Sequence, residues 1–322
     1  MLSEFDLIKQ YFDHTQINDA RIALGIGDDC ALINPTAGMQ LAISTDMLVS
    51  GRHFFPDADA FMLGHKSLAV NLSDLAAMGA RPLAFTLALS LPEANPTWLA
   101  AFSRGLFSLA KQHDCHLIGG DTTKGPLNIC ITIFGEVPFG MALRRDAAKV
   151  GEDIWISGSL GDARLALGAY RYELHLSESM LTSAAQRLHQ PTPRIDLGIA
   201  LRGIASAALD ISDGLSGDLG HILERSQVGA KICLDDLPVG VILRSQDLAR
   251  RREFSLFGGD DYELCFTAPK EKREAVIAAG LACQTHVTRV GEIVEQPELQ
   301  LLDALGQNLT FDDTSFDHFR SS

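Results

Sequence analysis

The sequence predicts a two-domain fold of mixed α+β and α/β class, because strand-like and helix-like stretches alternate through both halves and a turn segment separates the halves. The first half, residues 1–137, ends in a strand in which Leu127 and Ile129 begin an alternation of apolar and polar side chains. An interdomain segment is expected at 138–150. The second half, residues 151–322, restarts with a strand and a glycine turn in DIWISGSLGD, as a new domain does.

The individual elements follow from the spacing of the apolar residues. In the first half, GMQLAIST and LAFTLALSL are typical of strands. PTWLAAFSRGLFSLAKQHD predicts a helix, because Trp98, Phe102, Leu106 and Leu109 recur at helical spacing. In the second half, the predicted helices are RIDLGIALRGIA, SGDLGHILERS and KREAVIAAGL, and the predicted strands are KICLDDL, YELCFTAP and a short strand before DISDGL.

The composition favours a compact protein that binds neither nucleic acid nor membranes. With 322 residues and 46% apolar content, the chain can bury a full core. A formal charge of −14 offers no basic surface to a phosphate backbone, so nucleic acid is not an expected partner and an anionic substrate would need metal ions. Six cysteines without a C-x-x-C pair are typical of reduced thiols. With no cationic leader and no run of about 18 apolar residues, we expect a cytoplasmic protein.

Two short stretches resemble each other. LIGGD, which ends at Asp121, and LFGGD, which ends at Asp260, both place two glycines and an aspartate after apolar residues. An internal duplication would produce this match, and so would two independent strand–glycine–glycine turns.

Aspartates fall at the ends of apolar stretches. Most are predicted to follow a strand, and they are Asp28, Asp29, Asp46, Asp121, Asp210, Asp213, Asp260 and Asp261. A turn or cap role explains any one of them taken alone. Asp74 differs, because AVNLSDLAAMGA predicts a helix on which Ser67, Asn71 and Asp74 share a polar face beside an apolar stripe. A carboxylate at that position is costly to bury without a partner.

Clustered acids with few basic neighbours indicate a hard metal ion. The carboxylates would repel one another unless divalent cations held them ionised. Oxygen ligands without a His–Cys pattern favour Mg²⁺, and the calcium loop of an EF-hand is absent from the sequence. Acids with Mg²⁺ suggest phosphoryl chemistry, yet the sequence lacks a P-loop, an H-R-D catalytic loop and the third glycine of a dinucleotide turn.

Taken together, the motifs resemble a known family. GIGDDCAL, AISTDMLV, GRHF, HKSLAVNLSDLAAMGARP, LIGGDTTKGP, DISDGLSGDLGHI, GGDDYELCF and FDHF follow, in order, the motifs of the thiamine-monophosphate kinase family, within the ATP-binding superfamily of aminoimidazole ribonucleotide synthetase. The resemblance implies an N-terminal α+β half that dimerises through its sheet, a C-terminal α/β half, and ATP in the cleft between them. It implies transfer of the ATP γ-phosphoryl group to thiamine monophosphate, giving thiamine diphosphate and ADP, in a homodimer that uses several Mg²⁺ ions.

The resemblance also implies roles for individual residues. The magnesium ligands would be Asp29, Ser44, Thr45, Asp46, Asp74, Asp121, Asp210 and Asp213. Of these, Asp46, Asp74, Asp121 and Asp213 would be the catalytic carboxylates. The ATP contacts would be Gly120, Asp121, Arg145 and Ser212, and the contacts to thiamine monophosphate would be His53, Asp260 and Phe316.

Several of these assignments have ordinary structural alternatives. His53 could pack under the neighbouring phenylalanines, Phe316 could anchor the tail, and Arg145 could be a surface arginine. Asp28 is expected to orient Asp29 or to cap its turn. The sequence also departs from the family pattern, since Asp260 stands where the family usually has Glu, and Phe316 stands where Tyr or Trp is common.

Two rival functions stay open at this stage. A sister enzyme of the selenophosphate or aminoimidazole ribonucleotide synthetase type would share the metal ligands and act on another acceptor. The selenophosphate enzymes usually carry a reactive Cys in their N-terminal segment, and residues 1–25 contain none. A non-catalytic acidic protein that binds metal or nucleotide is the alternative from another class.

Overall fold

The computed structural model describes residues 4–13 and 17–311, and the chain divides into two compact units. Unit 1 comprises Met1–Leu75 and Ala80–Gly140, and unit 2 comprises Ala76–Gly79 and Met141–Ser322. Of the helices that the structure describes, none combines the length and the apolar character needed to cross a membrane.

Unit 1 combines a four-stranded sheet with two long helices. Its elements, in chain order, are α1 (Glu4–Tyr11), β1 (Ile22–Leu24), β2 (Leu32–Ile33), β3 (Met39–Val49), α2 (Ala60–Ala77), β4 (Arg81–Leu91), α3 (Pro96–Gln112), β5 (His116–Lys124) and β6 (Asn128–Pro138). The sheet order is β3-β6-β4-β5, with β4 and β5 parallel and the other neighbours antiparallel. Strands β1 and β2 form a separate antiparallel pair.

Helix α2 is apolar on nearly every side, which is typical of a buried helix. Leu68, Leu72 and Leu75 are fully or almost fully buried on it. Asn71 is also buried, and this is the polar position that the sequence singles out next to Asp74. A buried amide needs hydrogen-bond partners, so α2 must place Asn71 opposite polar groups.

Unit 2 is built on a six-stranded sheet of order β12-β9-β11-β7-β10-β8. Its elements are β7 (Asp153–Ser157), α4 (Asp162–Tyr170), α5 (Glu178–His189), α6 (Ile195–Ala200), β8 (Ala207–Asp210), α7 (Leu215–Ser226), β9 (Gly229–Cys233), α8 (Leu248–Phe257), β10 (Leu264–Ala268), α9 (Arg273–Ala282), β11 (Val287–Val294) and β12 (Leu299–Leu302). All neighbours are antiparallel except β9 and β12.

Strand β7 lies inside this sheet and is buried along its whole length. Ile154 and Ile156 belong to the same core cluster as Leu219 and Ile222 of α7. Trp155, which lies between these two isoleucines, points to the opposite face and is also buried. Both faces of β7 are therefore covered, which explains why DIWIS reads as a nearly continuous apolar run.

Most of the predicted elements are present, but some boundaries are wrong. The sequence places Asp46 and Asp121 at strand ends, whereas β3 continues to Val49 and β5 to Lys124. Strand β3 extends because β6 pairs with it over its full length. In KICLDDL the strand ends at Cys233 and a 3₁₀ turn follows at Leu234–Asp236.

The two GGD stretches occupy different local structures. LIGGD lies within β5, whereas LFGGD begins at the end of α8 and continues into a loop. A common origin by duplication predicts similar surroundings for the two stretches, which the structure does not show. The expected strand–glycine–glycine turn is also wrong for both, since one stretch continues as a strand and the other follows a helix.

Asp153, at the start of β7, gives a test of stability in unit 2. Its carboxylate is buried and accepts hydrogen bonds from Arg273 at 2.5 and 2.7 Å, with Arg289 at 3.6 Å. Burial opposes ionisation, but these arginines lower the pKa of Asp153 below its ordinary value. We expect Asp153→Asn to lower the free energy of unfolding by about 1.5–3 kcal/mol, the scale of hydrogen bonds to a charged group.

The pH dependence follows from the direction of that pKa shift. A lowered pKa stabilises the fold fully above the unfolded-state value of about 3.9, so the loss in Asp153→Asn should be equal at pH 7 and pH 5 and should shrink only below pH 4. Urea unfolding, followed by Trp155 fluorescence in a Trp98→Phe background, measures the loss of unfolding free energy at each pH. Glu295→Gln, at an exposed position, serves as the control. A loss that already shrinks between pH 7 and pH 5 would contradict the assignment.

Candidate active site

The clearest grouping of predicted site residues in unit 1 lies where β3 faces α2. Ser44 and Asp46 are two positions apart on β3, so their side chains leave the same face of the strand. Ser44 Oγ donates a hydrogen bond to the Asp74 carboxylate on α2. Asn71 Oδ1 accepts the main-chain N–H of Asp46 at 3.2 Å. Ser44, Asp46 and Asp74, three of the predicted magnesium ligands, are thereby gathered between one strand and one helix.

Asn71 is a residue whose role the sequence leaves unassigned. Its Nδ2 donates to the carbonyl of Ser67 at 3.0 Å, which directs the amide oxygen to β3. Ser67 Oγ in turn donates to Leu63 O of the same helix at 2.7 Å. The polar face predicted on α2 is therefore divided. Ser67 bonds within the helix, while Asn71 and Asp74 accept hydrogen bonds from β3.

Thr45 has its side chain on the opposite face of β3. Its hydroxyl lies 2.9 Å from the hydroxyl of Thr132, the residue directly across on β6. The Thr45 side chain therefore does not join Ser44 and Asp74, and a ligand role for Thr45 stays a prediction.

Gly120 and Asp121 lie in β5, beside β4. Gly120 has φ +149°, and a Cβ atom there would lie 1.9 Å from the carbonyl oxygen of Leu87. No side chain fits at this position, so the two strands approach closely only because residue 120 is glycine. Asp121 follows directly, is exposed, and lies opposite Ala88 in the parallel register.

Asp28 and Asp29 lie in an exposed turn between β1 and β2. Asp28 Oδ1 accepts the main-chain N–H of Asp29 at 2.8 Å. Asp28 thus caps the turn, one of the two roles expected from the sequence. Asp29 keeps an exposed carboxylate at the tip.

His53 follows β3 in a tight turn. Its Nδ1 accepts the main-chain N–H of Val49 at 2.9 Å, and the His53 main-chain N–H donates to Val49 O at 3.0 Å. Because Nδ1 acts as an acceptor, the proton of the neutral ring must be on Nε2. The half-buried ring is held in one tautomer, with a donor at its other nitrogen.

In unit 2, two loops that carry predicted site residues are hydrogen-bonded to each other. The first follows β8 and contains Ser212 and Asp213, and the second precedes β10 and contains Asp260. Asp260 N–H donates to Ser212 O at 2.8 Å, and Tyr262 N–H donates to Ile211 O at 2.8 Å. A Cβ atom at residue 259 would lie 2.4 Å from Ser212 O, so Gly259 permits this close approach.

Asp218, on the first turn of α7, fixes the loop that contains Ser212 and Asp213. One of its carboxylate oxygens accepts the main-chain N–H groups of Ser212 at 3.0 Å and Asp213 at 3.1 Å. Burial raises the pKa of Asp218 to about 7, against the opposing effects of these two amides and of the charge of Arg145. The charge of Arg145 thus acts on Asp218, and the Arg145 carbonyl accepts the hydroxyl of Ser226 of the same helix at 2.8 Å.

Asp210, the last residue of β8, is buried and lies opposite Leu264. Asp213, three positions later, is exposed. The two predicted ligands of this motif thus differ in solvent access.

Asp261 and Glu263 are site-supporting residues that the sequence leaves without a role. Burial raises the pKa of Asp261 well above its usual range, while the N–H of Gly161, which its carboxylate accepts at 2.9 Å, opposes that shift. Glu263 is completely buried and is held by Arg187 and Arg194. Two carboxylates in one turn that point inwards indicate a structural role, but the arginine partners lie about 70 residues away in sequence.

The candidate magnesium ligands are carboxylate and hydroxyl oxygens, the donors that Mg²⁺ prefers. In the part of the chain that the structure describes, one trio of potential ligand groups has its ligand atoms within 4.8 Å of one another, namely Asp19, Asp114 and His116. None of the predicted ligands belongs to this trio, in which Asp19 is already paired with Arg21 at 2.6 Å. The predicted ligands therefore form no ready-made cage. Mg²⁺ commonly binds through one or two carboxylates, with water and substrate phosphates completing the coordination.

Phe316, the predicted aromatic contact near the C-terminus, lies outside the described residues.

Family models match both halves of the chain. The model described as AIR synthase related protein, N-terminal domain, matches residues 27–137, and the corresponding C-terminal domain matches residues 149–303. Thiamine-monophosphate kinase of Salmonella typhimurium is 47% identical over 320 residues, which cover 98% of each chain.

Solved structures give the same result. The crystal structure of thiamine-monophosphate kinase from Stenotrophomonas maltophilia K279a matches with a TM-score of 0.84 and 48% identity, covering 88% of this chain and 92% of that one. The structure of AaThiL complexed with AMPPCP and TMP matches with a TM-score of 0.78 and 29% identity, covering 89% of each chain. The chain therefore belongs to the thiamine-monophosphate kinase family of AIR synthase related proteins.

Proposed function

We propose that the protein transfers the γ-phosphoryl group of ATP to thiamine monophosphate, giving thiamine diphosphate and ADP. The relatives described above are named for this activity, and they match the chain over most of their length. One of them is complexed with AMPPCP and TMP. The observation that carries the proposal is the grouping of Ser44, Asp46 and Asp74 between β3 and α2, since these are the positions of the family motifs STD and NLSD.

Magnesium fits the donors that unit 1 offers. Ser44, Asp46 and Asp74 bring hard oxygen donors to one face, and Asp29 and Asp121 add exposed carboxylates. We expect these five residues, with Asp210 and Asp213 of unit 2, to hold the ions. The ligand role of Thr45 stays a prediction from the family resemblance, since its hydroxyl bonds to Thr132 on the opposite face of β3. Bound Mg²⁺ would supply positive charge against the phosphate oxygens and the oxygens of leaving ADP.

The chain need not supply a general base. The attacking oxygen belongs to a phosphate monoester, which is largely ionised at neutral pH. A new bond forms between this oxygen and the γ-phosphorus as the bond to the ADP oxygen breaks. The task of the protein is to hold two anions together, and two unit charges 4 Å apart repel by about 4 kcal/mol at an effective dielectric of 20.

The loops of unit 2 suit the nucleotide and the acceptor. Ser212 lies in a loop whose main chain is fixed by Asp218, and the charge of Arg145 acts on that carboxylate. A guanidinium there suits ATP phosphates. Asp260 presents a carboxylate next to that loop, and a carboxylate suits the cationic ring and the amino group of thiamine. Phe316 is proposed to stack on that ring.

A homodimer is proposed through the open face of β3. Strand β3 is an edge strand, and its outward-facing Ile43 and Met47 are 60% and 53% exposed. Exposed apolar side chains in a row on an edge strand are typical of an interface with another sheet.

A cytoplasmic location is proposed for the protein, because its six free cysteines suit a reducing compartment.

The experiment that tests the function is a product assay. The purified protein is incubated with ATP, Mg²⁺ and thiamine monophosphate, with free thiamine as a parallel acceptor, and thiamine diphosphate and ADP are followed by chromatography. Equal amounts of thiamine diphosphate and ADP from the monophosphate alone are expected. ATP consumption without this product would indicate a sister enzyme with another acceptor, and no consumption would indicate a binding protein.

Asp46→Asn tests the metal-binding group in the same assay. We expect kcat to fall by about 100-fold or more, the scale of losing a group that stabilises charge in the transition state. The fold should persist, because the Asp46 main-chain N–H that bonds to Asn71 is unchanged. Asp57→Asn, the same chemical change at an exposed position of unit 1, is the control and should retain wild-type turnover. Wild-type turnover in Asp46→Asn would exclude the assigned role.

A pair of substitutions tests the His53 donor. Asn can accept the Val49 N–H in place of Nδ1 but loses the Nε2 donor, whereas Gln places a donor near Nε2. We expect His53→Asn to raise KM for thiamine monophosphate about tenfold, the scale of one hydrogen bond, and His53→Gln to raise it less. KM for ATP should stay within about twofold in both variants. The reverse order of the two variants would indicate that the turn, and not the donor, matters.

Ile43→Glu tests the dimer. Since the side chain is exposed on its own sheet, the substitution should leave the free energy of unfolding of the single chain within about 0.5 kcal/mol while placing a charge in the interface. Light scattering is expected to report a dimer for the wild type and a monomer for the variant. Val241→Glu, at a 77% exposed position of unit 2, should remain dimeric. A monomeric wild type, or a dimeric Ile43→Glu, would contradict the proposed interface.

A further inference from the structure

The loop that carries Asp260 has an unusual main-chain conformation. Asp260 has φ +64° and Tyr262 has φ +50°, so two residues of one turn occupy the left-handed region. This region is tolerated by aspartate but unfavourable for a bulky residue such as tyrosine. Such a conformation persists only where the surroundings hold it in place.

Main-chain hydrogen bonds hold one side of this loop. The N–H groups of Asp260 and Tyr262 donate to the carbonyls of Ser212 and Ile211 at 2.8 Å each. These bonds connect the loop to the neighbouring strand end, and the carbonyl of Glu263 adds a third by accepting the N–H of Ile211 at 2.8 Å. The side chains of the alternate residues give further support.

The alternate residues, Asp261 and Glu263, are held by their side chains. The Asp261 carboxylate accepts the N–H of Gly161 at 2.9 and 3.1 Å. The Glu263 carboxylate accepts from Arg194 at 2.5 and 2.6 Å and from Ser157 Oγ at 2.6 Å. Both carboxylates are almost completely buried, so these contacts are little weakened by solvent.

Arg187, in the last turn of α5, connects the two supports. Its Nη2 donates to Glu263 Oε1 at 2.8 Å and to the main-chain carbonyl of Asp261 at 3.1 Å. That carbonyl lies in the peptide between Asp261 and Tyr262. A single guanidinium group therefore joins the buried carboxylate to the main chain of the turn itself.

We propose that Arg187 is a positioning residue for the phosphate acceptor, which acts by fixing the main chain between Asp260 and Tyr262. The inference rests on the proposed function, in which Asp260 contacts thiamine monophosphate. Arg187 itself binds no substrate in this assignment. Its loss releases the turn and misplaces the Asp260 carboxylate, while Glu263 keeps Arg194 and Ser157 and the fold is retained.

Arg187→Met tests the proposal, because methionine keeps much of the aliphatic stem and removes the donors. Two measurements are made on the full chain. We expect KM for thiamine monophosphate to rise about tenfold, the scale of one hydrogen bond to a charged group, with kcat within about threefold and KM for ATP within about twofold of wild type. Hydrogen exchange at the amides of Asp260 and Tyr262 should accelerate at least about tenfold, because their protection depends on the closed turn.

Arg273→Met is the matched control. Arg273 also pairs with a buried carboxylate of unit 2, Asp153, which retains a second arginine, Arg289. The control should lose comparable stability without changing KM for thiamine monophosphate or exchange at residues 260 and 262. An equal rise of KM in both variants would mean that general destabilisation explains the effect, and would overturn the proposal.

The remaining outcomes are equally decisive. Unchanged exchange at Asp260 and Tyr262 in Arg187→Met would show that Arg187 does not hold the turn. Faster exchange with a wild-type KM for thiamine monophosphate would show that the turn does not position the acceptor. Failure of the proposed function is recognised separately, since the wild-type protein would then make no thiamine diphosphate before any variant is compared.

Discussion

Unit 2 depends on a cluster of three charged groups, the buried Glu263 carboxylate with Arg187 and Arg194. Removing the carboxylate would leave both guanidinium groups without this partner, and breaking a buried ion pair from one side costs about 3–5 kcal/mol. The cluster also has a geometric effect. Glu263 O accepts the N–H of Ile211, and Leu264 N–H donates to Ser157 Oγ, which itself bonds to the Glu263 carboxylate. Residues from three strands and from two helical segments therefore bond to Glu263 or to its direct partners. The loops that carry the predicted site residues of unit 2 lie next to this residue in the sequence or in the sheet.

Unit 1 places its polar residues differently. A hydroxyl and an amide group supply contacts to the β3–α2 group. Asn71 fixes the main chain of Asp46, and Ser44 binds Asp74 through a hydroxyl hydrogen. Both contacts come from neutral groups, and carboxylate and hydroxyl oxygens are the donors that Mg²⁺ prefers.

The sequence predicts the elements of this fold better than it predicts their partners. Alternation identifies β6, and helical spacing identifies α3, because each signal is local. The extension of β3 beyond Asp46 could not be predicted, since it depends on the pairing with β6, which is about 80 residues away in the sequence. The charged residues Asp261 and Glu263 also carry no local signal of burial, because their partners lie on α4, α5 and the start of α6.

The contact between Asp261 and Gly161 limits one way in which this chain could bind phosphate. Gly161 is the N-cap of α4, and a short glycine-containing turn separates it from the end of β7. A strand, a glycine turn and a helix start are a common arrangement for binding phosphate through free main-chain N–H groups. Here an internal carboxylate already occupies that amide. One N–H group of this helix start is thus taken by a side chain of the same protein, and with a net charge of −14 the surface offers little general attraction for polyanions. In the proposed function, positive charge for the phosphates would then come from Arg145 and from Mg²⁺ ions that enter with ATP, and not from this helix start.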